Sequence, residues 1–132
     1  MSHLYKPSQE QFDAFGRLRT SNPLTLFDSS HRYRDNNLWT QLVVGTGSTV
    51  GFVTTQGLMN LSVGTGSTDS IQRETTKVFA YQPGKSLEVL NTVIMNQPQA
   101  HLTQRVGYFG ADNGIYFEVA GKTINFVERS IV

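Results

Sequence analysis

Residues 114–129 read GIYFEVAGKTINFVER. Ile115, Phe117 and Val119 alternate with Tyr116 and Glu118, the two-residue period of a strand with one apolar face. A second alternating run follows at once, joined through Ala120-Gly121-Lys122, where glycine is free to take the positive φ of a tight turn. This stretch predicts a β-hairpin, and the rest of the chain repeats its grammar. Turn signals recur at residues 45–48 and 64–67 (GTGS both times), 82–85 (QPGK), 96–99 (NQPQ) and 111–114 (ADNG). Between them lie short runs rich in Val, Ile, Phe, Thr and Tyr. The spacing predicts strands near 40–44, 49–54, 57–63, 71–80, 86–95, 103–109, 114–119 and 122–129. Such a series suits an all-β protein, an antiparallel β-sandwich of jelly-roll type, better than alternating βα units. Residues 86–95, SLEVLNTVIM, are apolar on both faces, so a central, doubly covered strand is expected there. The hexapeptide VGTGST occurs at 44–49 and again at 63–68, and reads as two hairpin turns at one end of a sheet.

The first forty residues differ. Residues 1–40 hold five basic and four acidic side chains, 41–68 hold none, and 69–132 hold six of each. The segment DAFGRLRTSNPLTLFDSSHRYRDNNLW at 13–39 fits neither a helical period nor strand alternation. We therefore divide the chain into an extended N-terminal docking arm, 1–40, and a β-sandwich domain, 41–132. A helical turn is expected near Ser8–Phe15. Aromatic and arginine side chains are the types enriched at interface hot spots. Phe15, Arg17, Arg19, Phe27, Tyr33 and Trp39 are accordingly the candidate interface anchors. Asp13, Asp28 and Asp35 offset the arm's arginines, which points to Arg–carboxylate pairing within the arm or across an interface.

Composition narrows the function classes. The chain of 132 residues has 38% hydrophobic and 16% charged residues and a net charge of +1. It is too apolar for a disordered chain and has no global field to gather nucleic acid or anionic lipid. No run of about 20 apolar residues is present, so no membrane helix is expected. There are no cysteines, which removes thiol catalysis and zinc–thiolate sites. His3, His31 and His101 are far apart, and the carboxylates are scattered singly, so no metal site, general acid–base pair or cofactor is indicated. GTGST lacks the lysine of a phosphate loop, and AGKT at 120–123 lacks its first glycine and lies between strands. The sequence therefore predicts a protein that is not an enzyme.

Three segments carry a resemblance: residues 13–39, VFAYQPGKS at 78–86, and QRVGYFGADNGIYFE at 104–118. They resemble a group of virion structural or tail-associated proteins encoded by tailed bacteriophages. Asp13, Phe15, Gly16, Arg17, Leu18, Arg19, Pro23, Leu26, Phe27 and Asp28 match in the first motif. Gln104, Arg105, Gly107, Tyr108, Phe109, Asn113 and Gly114 match in the last. The resemblance implies a non-enzymatic virion component, at the tail, baseplate or head surface, that binds itself and other virion proteins. Members of that group continue beyond the strand ending in FVERS. This chain is then expected to be a shortened member or part of a longer product. The alternative is a receptor- or carbohydrate-binding module for host surface glycan, with Tyr81, Tyr108 and Tyr116 as stacking platforms.

Overall fold

A computed structural model of the chain describes residues 15–17, 24–80, 82 and 85–131. Among these every regular element is a β-strand and every pairing is antiparallel. The strands are β1 (Trp39–Val44), β2 (Thr49–Val53), β3 (Leu58–Ser62), β4 (Ser70–Thr75), β5 (Thr103–Phe109), β6 (Gly114–Ala120) and β7 (Thr123–Arg129). Seven of the eight expected strands are thus in place. The expected helical turn lies outside the described residues apart from Phe15. The chain divides into two compact units, at Ala80 and Tyr81.

The first unit is built on one long hairpin. β2 pairs with β3 around a tip at 54–57, where the amides of Gln56 and Gly57 both donate to the Val53 carbonyl and Gly57 takes φ 62°. β1 pairs with β4 further down the same two arms. Partner numbers sum to 114 in the lower ladder (Val44 with Ser70) and to 111 in the upper one (Thr49 with Ser62). Between the ladders both arms break, and the two copies of VGTGST face each other across the break. They are not separate hairpin turns, as the sequence suggested. A Cβ on Gly64 would stand 3.0 Å from the Gly47 Cα, and one on Gly66 would stand 2.6 Å from an Asp69 carboxylate oxygen. The Asp69 carboxylate accepts from the Gly66 amide at 3.2 Å, and the buried Ser48 hydroxyl accepts from the Gly64 amide at 3.2 Å. Backbones approach this closely only without side chains.

The break also folds the hairpin back. A straight ladder would separate Trp39 from the tip by about 50 Å, at roughly 3.3 Å per residue. Yet a Cβ on Gly57 would stand 3.3 Å from the His31 carbonyl oxygen, and the His31 ring lies 6.2 Å from that of Trp39. Tip and base therefore meet the same short segment.

The second unit is a three-stranded meander, β5–β6–β7, in which Val106, Phe117 and Phe126 stand abreast. Gly121 turns the β6–β7 hairpin at φ 57°, as its sequence predicts. Gly107 and Gly114 take φ 156° and 146° where β5 and β6 run close together, and a Cβ on Gly107 would stand 2.7 Å from the Tyr116 Cα. Residues 86–95 are the departure from expectation. They take up no regular element and belong to no ladder among the described residues. Apolar residues on both faces point to a central strand, but among the described residues neither free edge of the meander, on β5 or on β7, pairs with the segment.

Candidate functional site: the aromatic cluster and the bare sheet face

In the first unit, the segment 24–38 packs on one face of the β1–β4 ladder. Phe27 meets Trp39 edge-on at 5.8 Å and Phe79 at 5.6 Å. The Ser29 hydroxyl oxygen accepts from the Trp39 indole N–H at 2.8 Å and from the Asn36 amide at 2.7 Å, fixing the loop to the ring. Arg73, next to Trp39 on the same face, donates from Nη2 to Asp35 Oδ1 at 2.8 Å, and its guanidinium lies 5.5 Å from the Trp39 ring centre. Its side chain is only 7% exposed. That hydrogen bond, followed by the nearby positive charge, holds the Asp35 carboxyl below its usual range against the opposing effect of burial. Asp35 Oδ2 also accepts from Gln41 Nε2 at 3.1 Å, and Lys77 ties down the Leu26 carbonyl at 3.1 Å.

Five of the six expected anchors are described, and they fall into two groups. Phe27 and Trp39 meet each other within this cluster, both half-buried. Phe15 and Tyr33 are 83% and 89% exposed, with the Arg17 guanidinium 5.2 Å from the Phe15 ring centre. Arg19 lies outside the described residues. The Asp35–Arg73 pair has the expected chemistry, although its arginine comes from β4. That partner had no signal in the sequence, because the two residues are 38 positions apart.

The meander of the second unit has two unlike faces. One carries a polar network around a buried tyrosine. Tyr116 is 4% exposed, with the guanidinium groups of Arg105 and Arg129 at 5.6 and 5.4 Å from its ring centre and Phe109 at 4.6 Å. Arg129 donates to the Tyr116 hydroxyl at 3.0 Å and to the Ala111 carbonyl at 2.9 Å. Glu118 accepts from Arg105 at 2.6 Å and from Asn125 at 3.4 Å. The Arg105 hydrogen bond is the main cause that lowers the Glu118 pKa.

The other face is mostly apolar: Val106, Tyr108, Ile115, Phe117, Val119, Ile124 and Phe126, with Gln104 opposite Val119 and Glu128 opposite Ile115. Residues 86–95 partly cover it. Leu87, Val89 and Asn91 line an open groove of about 580 Å³ together with Val106, Tyr108, Phe117 and Phe126. Val119 is buried, but Ile115, Ile124 and Phe126 remain 66%, 60% and 87% exposed.

Of the tyrosines considered for sugar stacking, Tyr116 is enclosed by its arginines, Tyr108 lines the groove, and Tyr81 lies outside the described residues. Among the described residues no three His, Asp or Glu side chains come together as a metal site, and no helix is long and apolar enough to cross a membrane. No protein-family model, curated protein or solved structure matches the chain.

Proposed function

We propose that this chain is a non-enzymatic structural protein of a phage virion, self-assembling and docking on neighbouring subunits through its N-terminal arm. The observation that carries the reading is the bare apolar face of β5–β7, where Ile124 and Phe126 stand in solvent side by side on β7 and Ile115 is diagonal to Phe126 on β6. Contiguous exposed apolar surface on a sheet marks an association surface. Phe15, Arg17 and Tyr33, exposed on the other unit, add the aromatic and arginine types that dominate interface energetics. The phage resemblance of residues 13–39 and 104–118 supplies the setting, at the tail, baseplate or head surface. In this reading the small antiparallel sheets become the layers of a jelly-roll-type sandwich when subunits come together, and Phe27, Trp39 and Arg19 support the docking surface.

Light scattering across a dilution series tests the proposal, on the full chain and on a chain lacking residues 1–23, which keeps the Phe27–Trp39 contact. A discrete oligomer that weakens on truncation is the expected result. A monomer at every concentration overturns self-assembly, and an oligomer indifferent to truncation overturns docking by the arm.

A further inference from the structure

Residues 86–95 have the composition of a strand but belong to no sheet among the described residues. Among the described residues, no backbone N–H or C=O from Ser86 to Met95 joins a backbone hydrogen bond. A local turn precedes the segment, and its far end is tied to β5. The Lys85 amide donates to the Gln82 carbonyl at 3.2 Å. At the other end, Gln104 Oε1 accepts from the Asn96 amide at 2.9 Å while its Nε2 donates to the Asn96 carbonyl at 3.2 Å. The Gln104 side chain thereby imitates one rung of a ladder and holds the strand over the apolar face. An apolar extended segment with free edges is a template for pairing with another strand.

The pattern of the segment says which strand. Leu87, Val89 and Asn91 line the groove; the two-residue period of a strand carries the same side on to Val93 and Met95, a sequence symmetrical in character about Asn91. We infer that residues 86–95 pair antiparallel with the same residues of a second copy of this chain, across a two-fold axis at Asn91. The inference rests on the self-assembly reading above and specifies its contact. Such an interface is isologous, with residue i opposite residue 182 − i. Val89 then faces Val93, Leu87 faces Met95, and the two Asn91 amides face each other, each able to donate and to accept. Moving the axis to Leu90 or Thr92 sets Asn91 against Val89 or Val93 and leaves its amide unsatisfied in an apolar layer. A one-residue slip turns every groove-facing side chain away. Glu88 is the sole charge in the segment, and in this register it faces Ile94. The two Glu88 carboxylates stand six positions apart along the strand, roughly 20 Å, beyond the screening length of about 8 Å at physiological salt.

The chain has no cysteine, so one introduced thiol reports on one contact. Directly opposed residues lie about 4.5–5.5 Å apart at Cα, within disulfide reach. Residue 86 lies roughly 33 Å from its own copy in this register. Under mild oxidation Asn91→Cys is expected to run as a covalent dimer on non-reducing gels, and Ser86→Cys as a monomer. Proline at Asn91 or at Thr92 removes a ladder donor in one or the other phase of pairing. One of these two variants is expected to lower the native mass with an unchanged circular dichroism spectrum, since among the described residues the segment joins no backbone hydrogen bond. If the wild type is an oligomer but Asn91→Cys gives no covalent dimer, or Ser86→Cys gives as much, the strand pairing is overturned and self-assembly stands. If the Asn91→Cys dimer forms equally well without residues 1–23, the pairing stands and arm docking falls. A wild type monomeric at every concentration overturns both.

Discussion

Arg73 and Asp35 are joined at 2.8 Å across 38 residues of sequence, with the guanidinium almost wholly buried and the carboxylate one-third exposed. The asymmetry makes Arg73 the vulnerable partner. Replacing Asp35 by Ala leaves a buried cation without its acceptor, and is expected to destabilise the first unit by about 1–3 kcal/mol in urea titration. Arg73→Met, which removes the charge and keeps the stem, is expected to cost less.

Acid should find the same pair. The folded state lowers the Asp35 and Glu118 pKa values, so the stability they contribute is complete above the ordinary carboxylate range, about pH 4, and is lost as pH falls through their lowered folded values. Thermal melts between pH 6 and pH 2 should show a steep acid limb. Asp35→Asn should flatten the part belonging to the first unit while lowering the neutral-pH plateau.

The aromatic anchors should separate by readout. Phe27→Ala or Trp39→Ala removes the ring contacts at the base of the hairpin, and a loss of about 2–4 kcal/mol is expected by denaturant titration. Phe15→Ala and Tyr33→Ala touch exposed rings and should change stability by less than about 0.5 kcal/mol. Their effect should appear as a raised dissociation constant of the oligomer.

Glycines with identical chemistry should respond in opposite ways. Gly64→Ala drives a methyl group against the Gly47 backbone and the Asp69 carboxylate, and should cost about 1–3 kcal/mol. Gly51 sits in β2 with open space around the same position, and Gly51→Ala should be neutral or stabilising by up to about 1 kcal/mol. Differential scanning calorimetry of the two variants checks the contrast.

What the sequence reveals here is local. Ile115, Phe117 and Val119 alternate with Tyr116 and Glu118, and each turn carries its own residues, so β5, β6 and β7 were placed within a residue or two. Pairing between distant segments has no such signature. Nothing near Trp39 announces that Arg73 will lie over it, and nothing in VGTGST says that its two copies will meet. Residues 86–95 show the same limit from the other side. Their composition predicts a strand, but among the described residues they form none, because a strand needs a paired neighbour and pairing is a property of the whole fold. In the arm, the residue types of Phe27 and Trp39 marked them as anchors without saying that they would anchor to each other.

The glycine break in the long hairpin has a consequence for errors. Because the partner sum changes by three across it, from 114 to 111, the register below the break places no demand on the register above. A slipped pairing between β2 and β3 would turn Phe52 and Met59 to the wrong side and stop there. Trp39 and Arg73 would keep their places, as a fault in one carriage stops at a coupling.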